Sequence, residues 1–347
     1  MNKKLKTRRI YTLDTIRGFV LLLMAFVNLY YATSSRQRWF FSHDGEIMAP
    51  GDLIAIFFFI MIGFNLALIE KYKNITGKKL LKYANKRAIV IIGIGMLLVS
   101  YTISLFANEY TVFFRSVLVI LGISLILSST LIYLFGKQLK YWPYIFIVLS
   151  ITYGLVNKNP TGDYRFLSVA FLLTSIWGYM AGHYYTIDQK KFFKFMMTLG
   201  GISFVLAILH FLFFNEMPTR RTIHPSYIYI SWGFWFTILG VILHYFRDRK
   251  EVTQNSFLNS IYKKINRSGA YPLSFWILHS FVVALFVLGA TFYRYWSDHM
   301  LKYYFQMPAM PRSIENETIA ILCSVAGTLL CFVLHLVFIR IYRKRTG

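Results

Sequence analysis

Polar side chains set inside apolar runs are where this 347-residue sequence could do chemistry. The first apolar run opens on Leu13-Asp14-Thr15-Ile16-Arg17-Gly18 and carries Asn28 deeper in. At ~100° and ~1.5 Å per residue, the eleven steps from Arg17 to Asn28 return to within ~20° of one helix face and rise ~16 Å. One face therefore has a cation near one membrane surface and an amide far toward the other. A second group follows in Trp39-Phe40-Phe41-Ser42-His43-Asp44-Gly45-Glu46, which leads through Pro50-Gly51-Asp52 into the next apolar run. A histidine titrates near neutrality and can act as a general base, and a carboxylate such as Asp52 can fix its tautomer and stabilise its charged form. Each group also has a plainer reading. Asp14 and Arg17 suit an interfacial anchor with a local ion pair, Asn28 suits interhelical hydrogen bonding, Asp52 suits a helix N-cap, and His43 suits a loop surface.

The elements that must position these residues follow from composition. With 56% hydrophobic, 19% aromatic and only 15% charged residues, the chain departs from the usage of a soluble domain. Apolar stretches of roughly 20 residues, enough to cross a ~30 Å hydrocarbon core, recur from end to end. The expected architecture is all-α and polytopic, with ten transmembrane helices over 14–33, 52–70, 88–107, 111–135, 141–156, 166–185, 193–214, 225–246, 271–293 and 318–342. The fifth is short enough to be re-entrant or to span a thinned bilayer.

A net charge of +24 raises the question of a nucleic-acid partner, and the placement of the 38 Lys and Arg answers it. Starting from the basic N-terminal tail, alternate connections hold 27 of them, the opposite side holds 10, and Arg17 lies within the first span. That asymmetry is the positive-inside pattern with both termini cytoplasmic, and it excludes nucleic acid as the reason for the charge. Membrane lipids are the expected partner, the inner-leaflet anions adding on the order of 1 kcal/mol per basic residue. Cys323 and Cys331 share the last span about 12 Å apart in rise and cannot bond to each other. No Cys/His cluster has metal-ligand spacing. The N-terminal apolar run continues to Tyr31 without a small-residue cleavage site and reads as a retained span. With no linker, repeat or low-complexity tract, residues 1–347 are expected to form one domain. The basic connections Lys71–Arg87 and Arg247–Gly269 could each hold a short amphipathic surface helix.

The run from Leu13 to Gly18, continuing through Met24-Ala25-Phe26-Val27-Asn28, resembles the opening of heparan-alpha-glucosaminide N-acetyltransferase and its bacterial relatives. His43 with Gly45, followed by Asp52-Leu53 and the Phe-rich Phe57–Gly63 segment, is similar to that family's loop and second helix. Fainter similarity touches Asp163-Tyr164 with Trp177-Gly178, His224-Pro225-Ser226, and Pro272 through His279. The resemblance implies a multi-pass acyltransferase of the cell membrane, in a bacterium the plasma membrane. Such an enzyme moves an acyl group, usually acetyl, from cytoplasmic acetyl-CoA to a glycan or glycolipid on the opposite side. It implies a catalytic role for His43, with Asn28 and Asp52 beside it. The chemistry of the residues agrees: Arg17, with Asp14, can meet the donor's phosphates, and the Asn28 amide can hold a carbonyl oxygen that becomes negative. Direct attack by a deprotonated acceptor and an acetyl-histidine intermediate both remain open, as do amine and hydroxyl acceptors.

The acyltransferase-three proteins, more distantly similar, carry His where this chain has Asn28, which moves the histidine role here to the loop. His279, in the ninth span, is a substrate-site candidate or a packing residue with a satisfied hydrogen bond. His224, with Arg220 and Arg221, could hold an anionic acceptor or be solvated. Trp39 could stack on a sugar face or belong to an interfacial aromatic belt. A homodimer is an allowed arrangement. The rival class is a transporter or flippase of an envelope precursor, whose sign would be paired interrupted helices; Gly93 and Gly95 in the third span are the nearest thing to one.

Overall fold

The computed structural model describes residues 10–33, 48, 50–106, 117–156, 169–214, 225–246, 256–296 and 317–346. Among these residues the only regular structure is helical. The α-helices are α1 (Tyr11–Thr33), α2 (Leu53–Lys73), α3 (Gly77–Phe106), α4 (Val117–Phe135), α5 (Trp142–Val156), α6 (Val169–Ile187), α7 (Gln189–Phe214), α8 (Pro225–Tyr245), α9 (Ser256–Gly269), α10 (Pro272–Trp296) and α11 (Glu317–Thr346). A helix lies on each of the ten expected ranges. Six are long and apolar enough to cross a membrane among the described residues: Tyr11–Tyr30, Leu53–Lys73, Val117–Phe135, Gln189–Phe214, Pro225–Tyr245 and Ala320–Arg343. The chain is a multi-pass membrane protein. Helix α5, at 15 residues, is as short as its sequence foretold.

Local chemistry sets the ends. Helices α8 and α10 begin at Pro225 and Pro272, where a missing N–H costs nothing. Helix α2 stops at Asn74, whose left-handed φ of 52° ends the run. Asp188 caps α7 by accepting from the backbone N–H groups of Lys190 (2.7 Å) and Lys191 (3.2 Å), which holds its carboxyl below the usual carboxylate range. Two expectations change here. No separate surface helix fills 71–87, because the Lys-rich stretch from Gly77 is itself the start of α3. And α3 runs unbroken through Gly93 and Gly95, so it is not an interrupted carrier helix.

The chain divides into two compact units. One contains α2 to α8, packed mainly as the pairs α2 with α6, α3 with α4, and α7 with α8. The α2–α6 pair meets backbone to backbone. A Cβ at Gly63 would overlap the Ser175 carbonyl and come within 2.5 Å of the Tyr179 nitrogen; one at Gly178 would overlap the Ile60 carbonyl; one at Gly182 would lie 2.7 Å from the Phe64 carbonyl. Small residues at such a crossing let two helices gain dispersion contacts along their whole length, which is what holds helices together where lipid is as apolar as leucine. Phe59 stacks on Phe171 at 4.3 Å beside the crossing.

The other unit contains α1, α9, α10 and α11. Helix α9 grips the start of α1: a Cβ at Gly18 would overlap the Ile265 carbonyl, and one at Gly269 the Asp14 carbonyl. Asn266 Nδ2 donates to the Tyr11 carbonyl (2.5 Å) and to Thr15 Oγ1 (3.1 Å). On α11 a narrow stripe is buried, Ala320, Ser324, Gly327, Cys331, His335 and Ile339, while apolar residues such as Leu322, Leu329, Val333 and Val337 are exposed. A helix that is apolar all round and buried on one stripe has lipid as its remaining solvent.

Candidate functional site

Helix α1 supplies three of the residues singled out from the sequence, Asp14, Arg17 and Asn28. Arg17 Nη1 lies 2.9 Å from Asp14 Oδ1, one turn back on the same helix, and both side chains are largely buried. The local ion pair of the plainer reading is therefore formed. It also fixes the guanidinium at the start of α1.

Asn28 and His279, read separately in the sequence, come together. Asn28 Nδ2 lies 3.3 Å from His279 Nε2, joining α1 to α10 across 251 residues of sequence. An amide nitrogen only donates, so Nε2 is the acceptor and the neutral ring carries its proton on Nδ1. His279 is buried, with Trp276 edge-on at 6.2 Å, and its Nδ1 has no hydrogen-bond partner among the described residues. The bond uses one of the two Nδ2 hydrogens, leaving a second in an orientation that the ring fixes. Neither helix's periodicity could have foretold this pairing. The available signal was chemical: two strong hydrogen-bonding groups inside apolar spans each need a partner.

Asp52 lies in the other unit. It ends the 3-10 turn Pro50–Asp52, is 1% exposed, and precedes α2 with helical φ and ψ of −72° and −24°. It occupies the N-cap position of α2, as read from the sequence, but its side chain makes no capping bond. The turn is held from α8: Tyr227 donates its hydroxyl to the Asp52 carbonyl (2.9 Å) and Trp235 donates Nε1 to the Leu53 carbonyl (2.7 Å). The sequence reading missed both, because a side chain's position on α8 does not show which element stands opposite it. Removing the Tyr227 hydroxyl (Tyr227→Phe) is expected to destabilise this unit by about 0.6–1.7 kcal/mol. Lowered thermal stability of the detergent-solubilised chain would register it, and an unchanged midpoint would mean that the bond contributes nothing. His43, Trp39 and His224 lie outside the described residues.

Residues 9–176 match the family model described as heparan-alpha-glucosaminide N-acetyltransferase, catalytic. Over these residues the chain is similar to the heparan-alpha-glucosaminide N-acetyltransferase family. No curated protein matches the chain. The match runs from α1 into α6 and takes in Asp14, Arg17, Asn28, Trp39, His43 and Asp52. Together with the apolar helices, the similarity points to a transmembrane acetyltransferase. His224 and His279 lie beyond the matched region, so the hydrogen bond to His279 ties a matched helix to an unmatched one.

Proposed function

We propose that the protein transfers an acetyl group from acetyl-CoA on the cytoplasmic side to a glycan or glycolipid on the other face of the membrane. The observation that carries this reading is the family match over residues 9–176, which contains the cation, the amide, the loop histidine and the carboxylate that such a reaction needs. The orientation rests on the placement of Lys and Arg, which favours ten crossings and cytoplasmic termini. The whole chain, 1–347, then acts as one domain in the cell membrane.

The residues at hand suit the donor. Arg17, its fork fixed by Asp14, offers a bidentate cation to phosphate oxygens at the start of α1. Asn28, ~16 Å further along the same face, offers an N–H to the thioester carbonyl. In the reaction His43 removes the proton of the acceptor's hydroxyl or amine, and the freed lone pair adds to the carbonyl carbon. Asn28 Nδ2–H holds the resulting oxyanion. Collapse breaks the C–S bond, and the departing thiolate takes the proton from His43. Asp52 orients His43 and stabilises its charged form. His279 is a positioning residue in this scheme, because its ring fixes the amide that donates to the oxyanion. Trp39 and His224 are proposed to contact the acceptor.

Two measurements test the reading. Membranes containing the protein should transfer radiolabel from acetyl-CoA to an envelope glycan, and membranes without it should not. Calorimetry on the purified chain should detect acetyl-CoA binding that weakens about tenfold, ~1.4 kcal/mol, in Arg17→Ala. A folded protein that neither binds acetyl-CoA nor labels any glycan would overturn the assignment.

A further inference from the structure

Helix α9 has its faces the wrong way round for a helix in water. An amphipathic helix of a soluble domain buries its apolar stripe and exposes its polar one. Here the buried positions are Asn259, Asn266, Ser268 and Gly269, while Phe257, Leu258 and Ile261 are exposed, Phe257 by 69%. The inversion has a local cause. Asn266 satisfies the Tyr11 carbonyl and Thr15 hydroxyl, and Gly269 lets the backbones touch, so the face that grips α1 must be small and polar.

At ~100° per residue, Phe257, Leu258 and Ile261 share an arc of ~100° on a different side of the helix from Asn259 and Asn266. Lys263 and Arg267, both exposed, lie on the third side, and exposed Lys264 flanks the apolar arc. Over the first two turns of the helix Asn259 is buried, Phe257, Leu258 and Ile261 form an exposed apolar stripe and Lys263 begins a basic flank, while from Ile265 to Gly269 the helix packs on the start of α1. An apolar stripe beside cations is what the boundary between acyl chains and anionic headgroups accepts, and water does not. The packing against Asp14 and Gly18 puts the helix at the N-terminal end of α1, where a spanning helix meets that boundary.

We infer that α9 lies in the membrane surface beside the start of α1, with Phe257, Leu258 and Ile261 among the acyl chains and Lys263, Lys264 and Arg267 on anionic lipid phosphates. Anionic lipid is thereby a partner of the helix that packs on the backbone of Asp14 and Gly18. The inference does not depend on the transfer reaction.

Spin labels test it. In a chain with Cys323 and Cys331 replaced by alanine, single cysteines are introduced as Phe257→Cys, Leu258→Cys, Ile261→Cys, Ser260→Cys and Lys263→Cys. Each labelled chain that keeps the parent's thermal unfolding midpoint is reconstituted in vesicles of phosphatidylcholine and phosphatidylglycerol. Labels at 257, 258 and 261 should collide with oxygen more than with a water-soluble nickel chelate, and labels at 260 and 263 should do the reverse. Preference for the nickel chelate at all five positions would overturn the inference. So would shielding from both reagents with dipolar broadening between labels, since the stripe would then face a second copy. As a separate arm, the triple variant Lys263→Gln, Lys264→Gln, Arg267→Gln should retain less phosphatidylglycerol through purification, by about twofold or more. Unchanged retention would remove the lipid phosphates as the partner of the basic flank.

Discussion

Acetyl transfer by a chain carrying Asn28→Ala is expected to fall about 10²–10³-fold, the effect of deleting one oxyanion donor from a preorganised site. The informative comparison is Asn28→Asp. Aspartate has nearly the volume of asparagine but no N–H to give, so it should fall as far as alanine if donation is the role and recover much of the rate if packing is. His279→Ala keeps the donor but removes the ring that orients it through the 3.3 Å contact. It should therefore lower kcat with little change in acetyl-CoA affinity, a split that a merely structural role would not give. His43→Ala removes the proposed base and should cost about 10²–10⁴-fold. Rates are measured with labelled acetyl-CoA on reconstituted protein, and an Asn28→Asp variant working at near the native rate would sink the oxyanion assignment.

Adding one methyl group at Gly63 or Gly178 is expected to prevent the α2–α6 pair from forming. Overpacking of a core usually costs ~1–3 kcal/mol because side chains can turn aside. At these positions the obstruction is backbone, the Ser175 and Ile60 carbonyls, and it cannot turn aside without moving a whole helix. Gly63→Ala and Gly178→Ala should each cost more than ~3 kcal/mol, enough to remove most folded protein from a detergent extract. Gly201→Ala is the control. Nothing lies within 4 Å of its Cβ position, so the gain in helix propensity of roughly 1 kcal/mol should leave the protein as stable or more so. Thermal unfolding of the three variants separates the cases. Equal midpoints for Gly63→Ala and Gly201→Ala would mean that α2 and α6 do not meet as described.

The helices were legible in the sequence because a membrane imposes one rule over and over: a run of apolar residues long enough to satisfy its own backbone. Their ends were less so. The range predicted for α3 starts at residue 88, whereas the helix begins at Gly77, because apolarity reports lipid and not helicity, and Lys78, Lys79, Lys82 and Lys86 are good helix formers in water. The Arg17–Asp14 contact was readable from its spacing of three residues. Asn28 and His279 were each conspicuous alone, but periodicity fixes a side chain's bearing on its own helix and says nothing of which helix stands opposite. The bonds of Tyr227 and Trp235 to the turn at Asp52 were hidden for the same reason.

The union of α1 with α9, α10 and α11 has a consequence for how the protein is made. Helix α1 leaves the ribosome before α2 to α8, and its partners leave after them. Asn28 enters the bilayer 251 residues ahead of His279, which at ~5–20 residues per second is a wait of roughly 10–50 s. During that interval the amide of Asn28 and the small-residue surface around Gly18 lack their final partners, α10 and α9. Something in the insertion machinery or the surrounding lipid has to shelter them. Arg17 and Asp14 need no such help, because their bond closes within a single turn as soon as the helix forms.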